Sequence, residues 1–189
     1  MKLAAVAKKV GVLSLALLLA VLPCAPSSTP DEASGEYQVK AAFMFHFAQF
    51  VEWPADAFPS ATSPLKYCTI GEDPFQGALD ETLKNKSVGN RPLLVQHLTG
   101  LEQIAGCQIL FIASREKKQF GAALSKAGGH PVLSVGETEH FTRDGGMIGL
   151  FVEDNKVRFD INVEAAERSK LKISSKLLLL AKNVIGNHE

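Results

Sequence analysis

CQILFIAS, residues 107–114, decides how this chain is read. The stretch is almost wholly apolar, which predicts a central strand covered on both faces. Upstream, LKYCTIG (65–71) reads as a first strand and RPLLVQHL (91–98) as a second. EDPFQGALDETLKNK (72–86) lies between them as a helix, with Phe75, Leu79 and Leu83 on one face. LEQIAG (101–106) makes at most a helical turn. Downstream, REKKQFGAALSKAG (115–128) is a helix ended by Gly128 and Gly129, and residues 131–135 form the next strand. TEHFTRDGG (138–146) is a short helix or turn. GMIGLFVEDNKVRFDIN (146–162) reads as two strands around Glu153 to Asn155, with Val157, Phe159 and Ile161 alternating with Arg158 and Asp160. Residues 163–185 read as one helix broken near Lys170, or two in succession, burying Leu177, Leu178, Ala181 and Ile185. Strands alternating with helices four times, then a hairpin and helices, predict a three-layer α/β sandwich. Its central sheet is mostly parallel, its first four strands run parallel, and the C-terminal hairpin adds an antiparallel edge pair.

YQVKAAFMFHFAQFVEW (37–53) precedes the first strand and predicts a helix stopped by Pro54. Val39, Phe43, Phe47, Phe50 and Val51 keep helical spacing, but Met44, Phe45 and Ala48 lie off that stripe. A helix apolar on several faces is buried on more than one side, or meets a partner. Packing against the sheet and a partner surface built from Phe43, Phe45, Phe47, Phe50 and Trp53 are the two readings.

The chain opens with Lys2, Lys8 and Lys9, then thirteen residues (10–22) with almost nothing polar, then Pro23, Pro26 and Pro30. A membrane span needs about 20 apolar residues; this run suits an export signal. Residues 1–30 are therefore expected to be a signal peptide with an indistinct cleavage site, and residues 31–189 one domain. An uncleaved membrane anchor, or a lipid anchor on Cys24, is the alternative. Without residues 1–30 the chain has 159 residues, with 17 basic against 20 acidic ones, a net of −3. That balance, without an arginine cluster or basic tail, gives no support to nucleic-acid binding. In an oxidising compartment Cys68 and Cys107 would form one disulfide, closing a loop of 39 residues and contributing about 3.5–4 kcal/mol. Two separately buried thiols are the alternative.

The chemical inventory is sparse. There is no G-x-S-x-G elbow and no phosphate-binding loop with its lysine. Gly145, Gly146 and Gly149 lie inside a strand-like segment, where they permit a bulge or a close backbone contact. None of the five histidines pairs with another at metal-ligand spacing, and no cofactor is expected. His130 and His140, with Glu137 and Glu139 between them, would make at best a weak metal site. His46 reads as a hydrogen-bonded, partly buried histidine. Arg158, Asp160 and Asn162 alternate down one strand face. They read as a solvent face with Asn162 capping the next helix, or as a polar groove for a ligand or partner. No catalytic residue is assigned.

Two long stretches carry a resemblance. KAAFMFHFAQFVEWP (40–54) resembles the opening of the YfiR-like family, and GMIGLFVEDNKVRFDINVEAAERSKLKISSKLLLLAKNV (146–184) resembles its closing signature. The likeness extends over about 36–185 and is thin at 72–104. It implies an exported, non-enzymatic α/β protein of Gram-negative bacteria, in the periplasm. The family's namesake represses a membrane-bound diguanylate cyclase through that protein's periplasmic domain, and other members are sensing partners of membrane receptors, including histidine kinases. The expected partner is thus the periplasmic domain of an inner-membrane diguanylate cyclase or histidine kinase; homodimers are also known in the family. Cys68 and Cys107 match the family's main disulfide pair. The namesake's additional pair is absent, since Gly149, Leu150, Phe151 and Val152 stand in that region. A different class of function, a small-ligand sensor, would need a cleft at the strand C-termini lined by Glu72, Asp73 or Ser114.

Overall fold

The computed structural model describes residues 30–186. The expected export segment, up to its last residue, and Cys24 therefore lie outside the described residues, as does His188. The helices are α1 (Pro30–Phe50), α2 (Ala78–Leu83), α3 (Phe120–Ala127), α4 (Val163–Arg168) and α5 (Ser175–Leu178). The strands are β1 (Val51–Glu52), β2 (Leu65–Ile70), β3 (Ser87–Val88), β4 (Arg91–Leu98) and β5 (Ile109–Ile112). They continue as β6 (Leu133–Gly136), β7 (Ile148–Glu153), β8 (Lys156–Asn162), β9 (Lys172–Ile173) and β10 (Asn183–Ile185).

The main sheet has the order β10-β8-β7-β6-β5-β2-β4-β3, and β1 pairs with β9 in a separate ribbon. Strands β4, β2, β5, β6 and β7 are parallel to one another. The hairpin β7–β8 is antiparallel, from Ile148↔Ile161 to Glu153↔Lys156. Its turn residues Asp154 and Asn155 both have positive φ, 50° and 56°, which short polar side chains tolerate best among non-glycine residues.

The two-residue period of the strands sorts the core into two layers. Tyr67, Ile109, Phe111, Leu133 and Val135 face Met44 and Phe47 of α1, Leu79 and Leu83 of α2, and Leu177 of α5. Cys68, Ile70, Leu110 and Ile112 face the other way, toward Ile104, Ala123, Ala127 and Phe141. Residues 109–112 are thus buried on both faces. Each fully buried Leu, Ile or Phe contributes about 1.5–3 kcal/mol, so helices above and below the sheet are what this stretch requires. Cys68 on β2 and Cys107 just ahead of β5 are joined by a disulfide with Cα atoms 6.0 Å apart.

Three expectations from the sequence are corrected. Helix α1 ends at Phe50 instead of Trp53, because Val51 and Glu52 pair with Ile173 and Lys172 and the Phe50 carbonyl accepts from Ser174 N–H. Residues 163–185 hold two helices in succession with the break near Lys170, but both are short and the segment does not end as helix. Helix α4 stops where Lys170 takes φ 58°, β9 follows, Ser174 caps the single turn of α5, and the chain then joins the sheet as β10. The hairpin is not the sheet edge, since β10 covers β8 in parallel from Asn183↔Asp160 to Ile185↔Asn162.

Gly146 does make the close contact its position suggested. A Cβ there would fall 2.1 Å from the Phe141 ring, as would one at Gly136 on the opposite side. The two glycines form a slot that holds Phe141 against the sheet.

Candidate functional site

The strand order changes direction between β2 and β5, and in open α/β sheets the crevice at the C-terminal ends of such strands is the usual ligand position. Here a polar knot occupies it. Glu137, directly after β6, accepts hydrogen bonds from Tyr37 Oη at 2.8 Å, Ser114 N–H at 3.0 Å and Ser114 Oγ at 3.3 Å. Lys40 of α1 adds an ion pair to Glu137 and a second to Glu36. The Lys40 and Glu137 side chains are 4% and 5% exposed. Burial pushes the Glu137 carboxyl up, but the Lys40 ammonium, with the hydrogen bonds from Lys40, Ser114 and Tyr37, outweighs it and holds the carboxyl below its ordinary range. Burial, then the Glu137 carboxylate, pushes the Tyr37 phenol well above its ordinary range.

Of the three residues expected to line a ligand cleft, Ser114 and Glu72 are committed elsewhere, and Asp73 shapes the turn before α2. Ser114 serves Glu137, Glu72 pairs with Arg115 at 2.8 Å, and the Asp73 carboxylate accepts from the N–H groups of Phe75 and Gly77. Beside the knot a cavity of about 940 Å³ opens between α1 and α2, lined by residues that include Tyr37, Phe75, Gln76, Asp80, Glu81 and Arg115.

The aromatic stripe of α1 is mostly internal. Phe47 is fully buried, so it belongs to the core and not to a partner surface. Phe43 stacks on Phe47 at 6.0 Å, and both meet the Phe159 ring edge-on at 5.4 and 5.3 Å. Phe45, on another face, carries the Lys86 ammonium 4.5 Å from its ring centre. Trp53 Nε1 donates to the Gln108 carbonyl. Phe43, Phe45, Phe50 and Trp53 are partly buried against the same cluster as Phe47. His46 is exposed instead of partly buried and bonds Gln49 at 3.0 Å.

The polar trio of β8 does not converge into a groove. Arg158 is exposed, and Asp160 accepts from Asn183 Nδ2. Asn162 is 7% exposed. Its Oδ1 accepts from Ala165 N–H as the cap of α4, and its Nδ2 donates to the Thr142 carbonyl. The cap reading of Asn162 therefore stands, and its inward position removes it from any groove.

The apolar surface lies elsewhere. Leu179 is 85% and Leu180 68% exposed, directly ahead of β10, which carries Val184 at 37%. Among the described residues β10 is the outermost strand at this end of the sheet, so its outer backbone groups are free to pair. This surface was legible only as a tension: four consecutive leucines, 177–180, cannot all face one core from a helix.

The chemistry available is limited. Thr69, His97 and Asp80 follow one another as hydroxyl, imidazole and carboxylate, at 2.7 and 3.7 Å. Thr69, however, is fully buried within β2 and offers no nucleophile to a substrate. The weak metal site at Glu137, Glu139, His130 and His140 does not assemble among the described residues, because Glu137 is held by Lys40, Tyr37 and Ser114 while His140 pairs with Glu139. Asp73, Asp80 and His97 instead bring one donor atom each within 4.8 Å of one another. Among the described residues no helix is long and apolar enough to cross a membrane.

Residues 37–182 match the model of a family described as YfiR/HmsC-like. The fold is also similar to the crystal structure of a conserved domain protein from Vibrio cholerae O1 biovar El Tor, with a TM-score of 0.54 at 8% identity. The matched region covers 78% of this chain and 60% of that one, so the chain spans under two thirds of its neighbour's length.

Proposed function

We propose, from the premise that the chain belongs to the YfiR/HmsC-like family, that it is a periplasmic, non-catalytic regulator that binds the outer domain of an inner-membrane signalling protein. Residues 31–189 act as the mature domain. The signalling protein is a diguanylate cyclase or a histidine kinase, and for a cyclase the effect is repression. The observation that supports this reading is the pair Leu179 and Leu180, exposed beside the open edge of β10. Covering each leucine would contribute about 1.5–3 kcal/mol, and the free edge offers backbone hydrogen bonds to an added strand. This surface takes the role first expected of the aromatic helix.

The test is capture from solubilised inner membranes on the oxidised protein. Recovery of one membrane signalling protein, lost with Leu179→Ser/Leu180→Ser, supports the reading. Capture that survives the double substitution places the contact elsewhere. A homodimer through the same edge would appear as a doubled mass in solution that the substitution halves.

A small-ligand sensor is the second reading, and the cavity between α1 and α2 favours it. A compound that raises the melting temperature, and loses that effect on Arg115→Ala, would support it.

A further inference from the structure

The geometry points to a divalent transition-metal site, of the kind zinc takes, formed by Asp73, Asp80 and His97. The three residues come from the loop after β2, from α2 and from β4. Their donor atoms lie within 4.8 Å of one another. His97 sits directly opposite Thr69 in the parallel β2–β4 register. Its Nδ1 lies 2.7 Å from the hydroxyl of Thr69, a fully buried residue. That bond turns Nε2 outward, to 3.7 Å from Asp80 Oδ2. This separation is too long for a hydrogen bond. It suits two ligands of one ion, since atoms about 2.0–2.1 Å from a tetrahedral metal stand about 3.4 Å apart. The Asp73 carboxylate is fixed by the N–H groups of Phe75 and Gly77 at 2.9 and 2.7 Å, which leaves each oxygen a further lone pair.

Charge and donor chemistry agree. Two carboxylates and a neutral imidazole match a divalent cation. Among the described residues no lysine or arginine pairs with Asp73 or Asp80. A mixed nitrogen and oxygen set favours zinc, cobalt or nickel over magnesium and calcium, which take oxygen alone. A neighbour that orients the histidine through its second nitrogen is a regular feature of such sites, and here Thr69 fills that position. Three protein ligands leave a coordination position open, and Asp80 also lines the cavity beside α1. The site does not depend on the proposed regulatory partner.

The experiment is calorimetric titration of the chelator-treated, oxidised protein with zinc chloride in a non-coordinating buffer at neutral pH. Cobalt absorption serves as the second readout. One zinc per chain is expected, with an intense visible cobalt band. His97→Ala and Asp80→Asn should each weaken binding at least about 10-fold, and Thr69→Val about 10-fold, while Thr69→Ser restores it. His140→Ala should change nothing. His97 and Asp80 are about half exposed, and an unchanged urea midpoint for their variants verifies the fold. Absence of saturable binding at millimolar zinc would overturn the assignment, leaving His97 and Asp80 a plain ion pair. So would binding that neither His97→Ala nor Asp80→Asn moves.

Discussion

Lys40, in the middle of α1, and Glu137, at the end of β6, form an ion pair across 97 positions of sequence, with both side chains almost wholly out of water. It is the point at which the N-terminal helix is fastened to the C-terminal ends of the parallel strands. A buried pair is costly to assemble and costlier to break. Lys40→Met should therefore destabilise the protein by about 3–5 kcal/mol, because Glu137 is left charged and buried. The double variant Lys40→Met/Glu137→Leu should recover much of that loss. Urea unfolding of the two single variants and the double one gives the coupling directly; a purely additive double variant would contradict it.

The same pair predicts a pH dependence. The Glu137 carboxyl is held below its ordinary 4.5 in the folded chain. Its contribution to stability is therefore complete above about that value and is lost as pH falls through the lower, folded one. Glu137→Gln should flatten the acid limb of the stability profile, and urea midpoints from pH 6 downward are the measurement. A Glu137→Gln variant with an unchanged acid limb would assign that limb to other carboxylates.

Cys68 and Cys107 are 0% and 2% exposed. Replacing both with alanine should cost about 3.5–4 kcal/mol for a 39-residue loop. Because solvent does not reach the bond, a thiol reductant should cleave it in the native protein only as fast as the chain opens. Reduction followed by mass spectrometry should give a rate that tracks unfolding across urea concentrations. A rate proportional to reductant and independent of urea would show direct access.

Asn162 uses both ends of its side chain. Asn162→Asp keeps the acceptor that caps α4 and loses the donor to Thr142. Asn162→Ala loses both and should cost about 1–2 kcal/mol. The order wild type, Asp, Ala in melting temperature is the expected result. Asp falling to or below Ala would mean that the bond to Thr142 stabilises the fold more than the cap does.

Gly146→Ala would drive a methyl group to 2.1 Å from the Phe141 ring. The overpacking should cost about 1–3 kcal/mol. Phe141→Leu, itself destabilising, should reduce the added cost of Gly146→Ala when the two are combined. A double-mutant cycle reads this coupling.

The layers of the fold were legible because buried strands announce themselves. CQILFIAS is almost wholly apolar, and Leu79 and Leu83 keep the helical period of α2, whereas Phe75, expected on the same helix, lies ahead of it because Gln76 and Gly77 take φ of 51° and 85°. The end of the chain misled for a physical reason. Leucine has high helix propensity, so 176–181 read as helix. Ser174 ends one conformation and starts another, and pairing with β8 draws Asn183–Ile185 into a strand. Local propensity carries no record of such long-range pairing. The polar constellations were hidden for the same reason. Nothing in the spacing of Lys40 and Glu137 marks them as partners, and His97 meets Asp73 and Asp80 only because β2 and β4 lie in register. The cap at Asn162 was visible because a cap is local.

The first described helix depends on the last third of the molecule. Its latch is Glu137, the ring that Phe43 and Phe47 meet is Phe159, and the ribbon that continues it is completed by Lys172 and Ile173. A chain crossing a membrane from its N-terminus would deliver this helix first and its partners last. Until then Phe43 and Phe47 lack the Phe159 ring they meet edge-on, and Val51 and Glu52 lack the strand they pair with. Docking of the helix should be the late event of maturation, on the slower timescale of folds built from distant contacts.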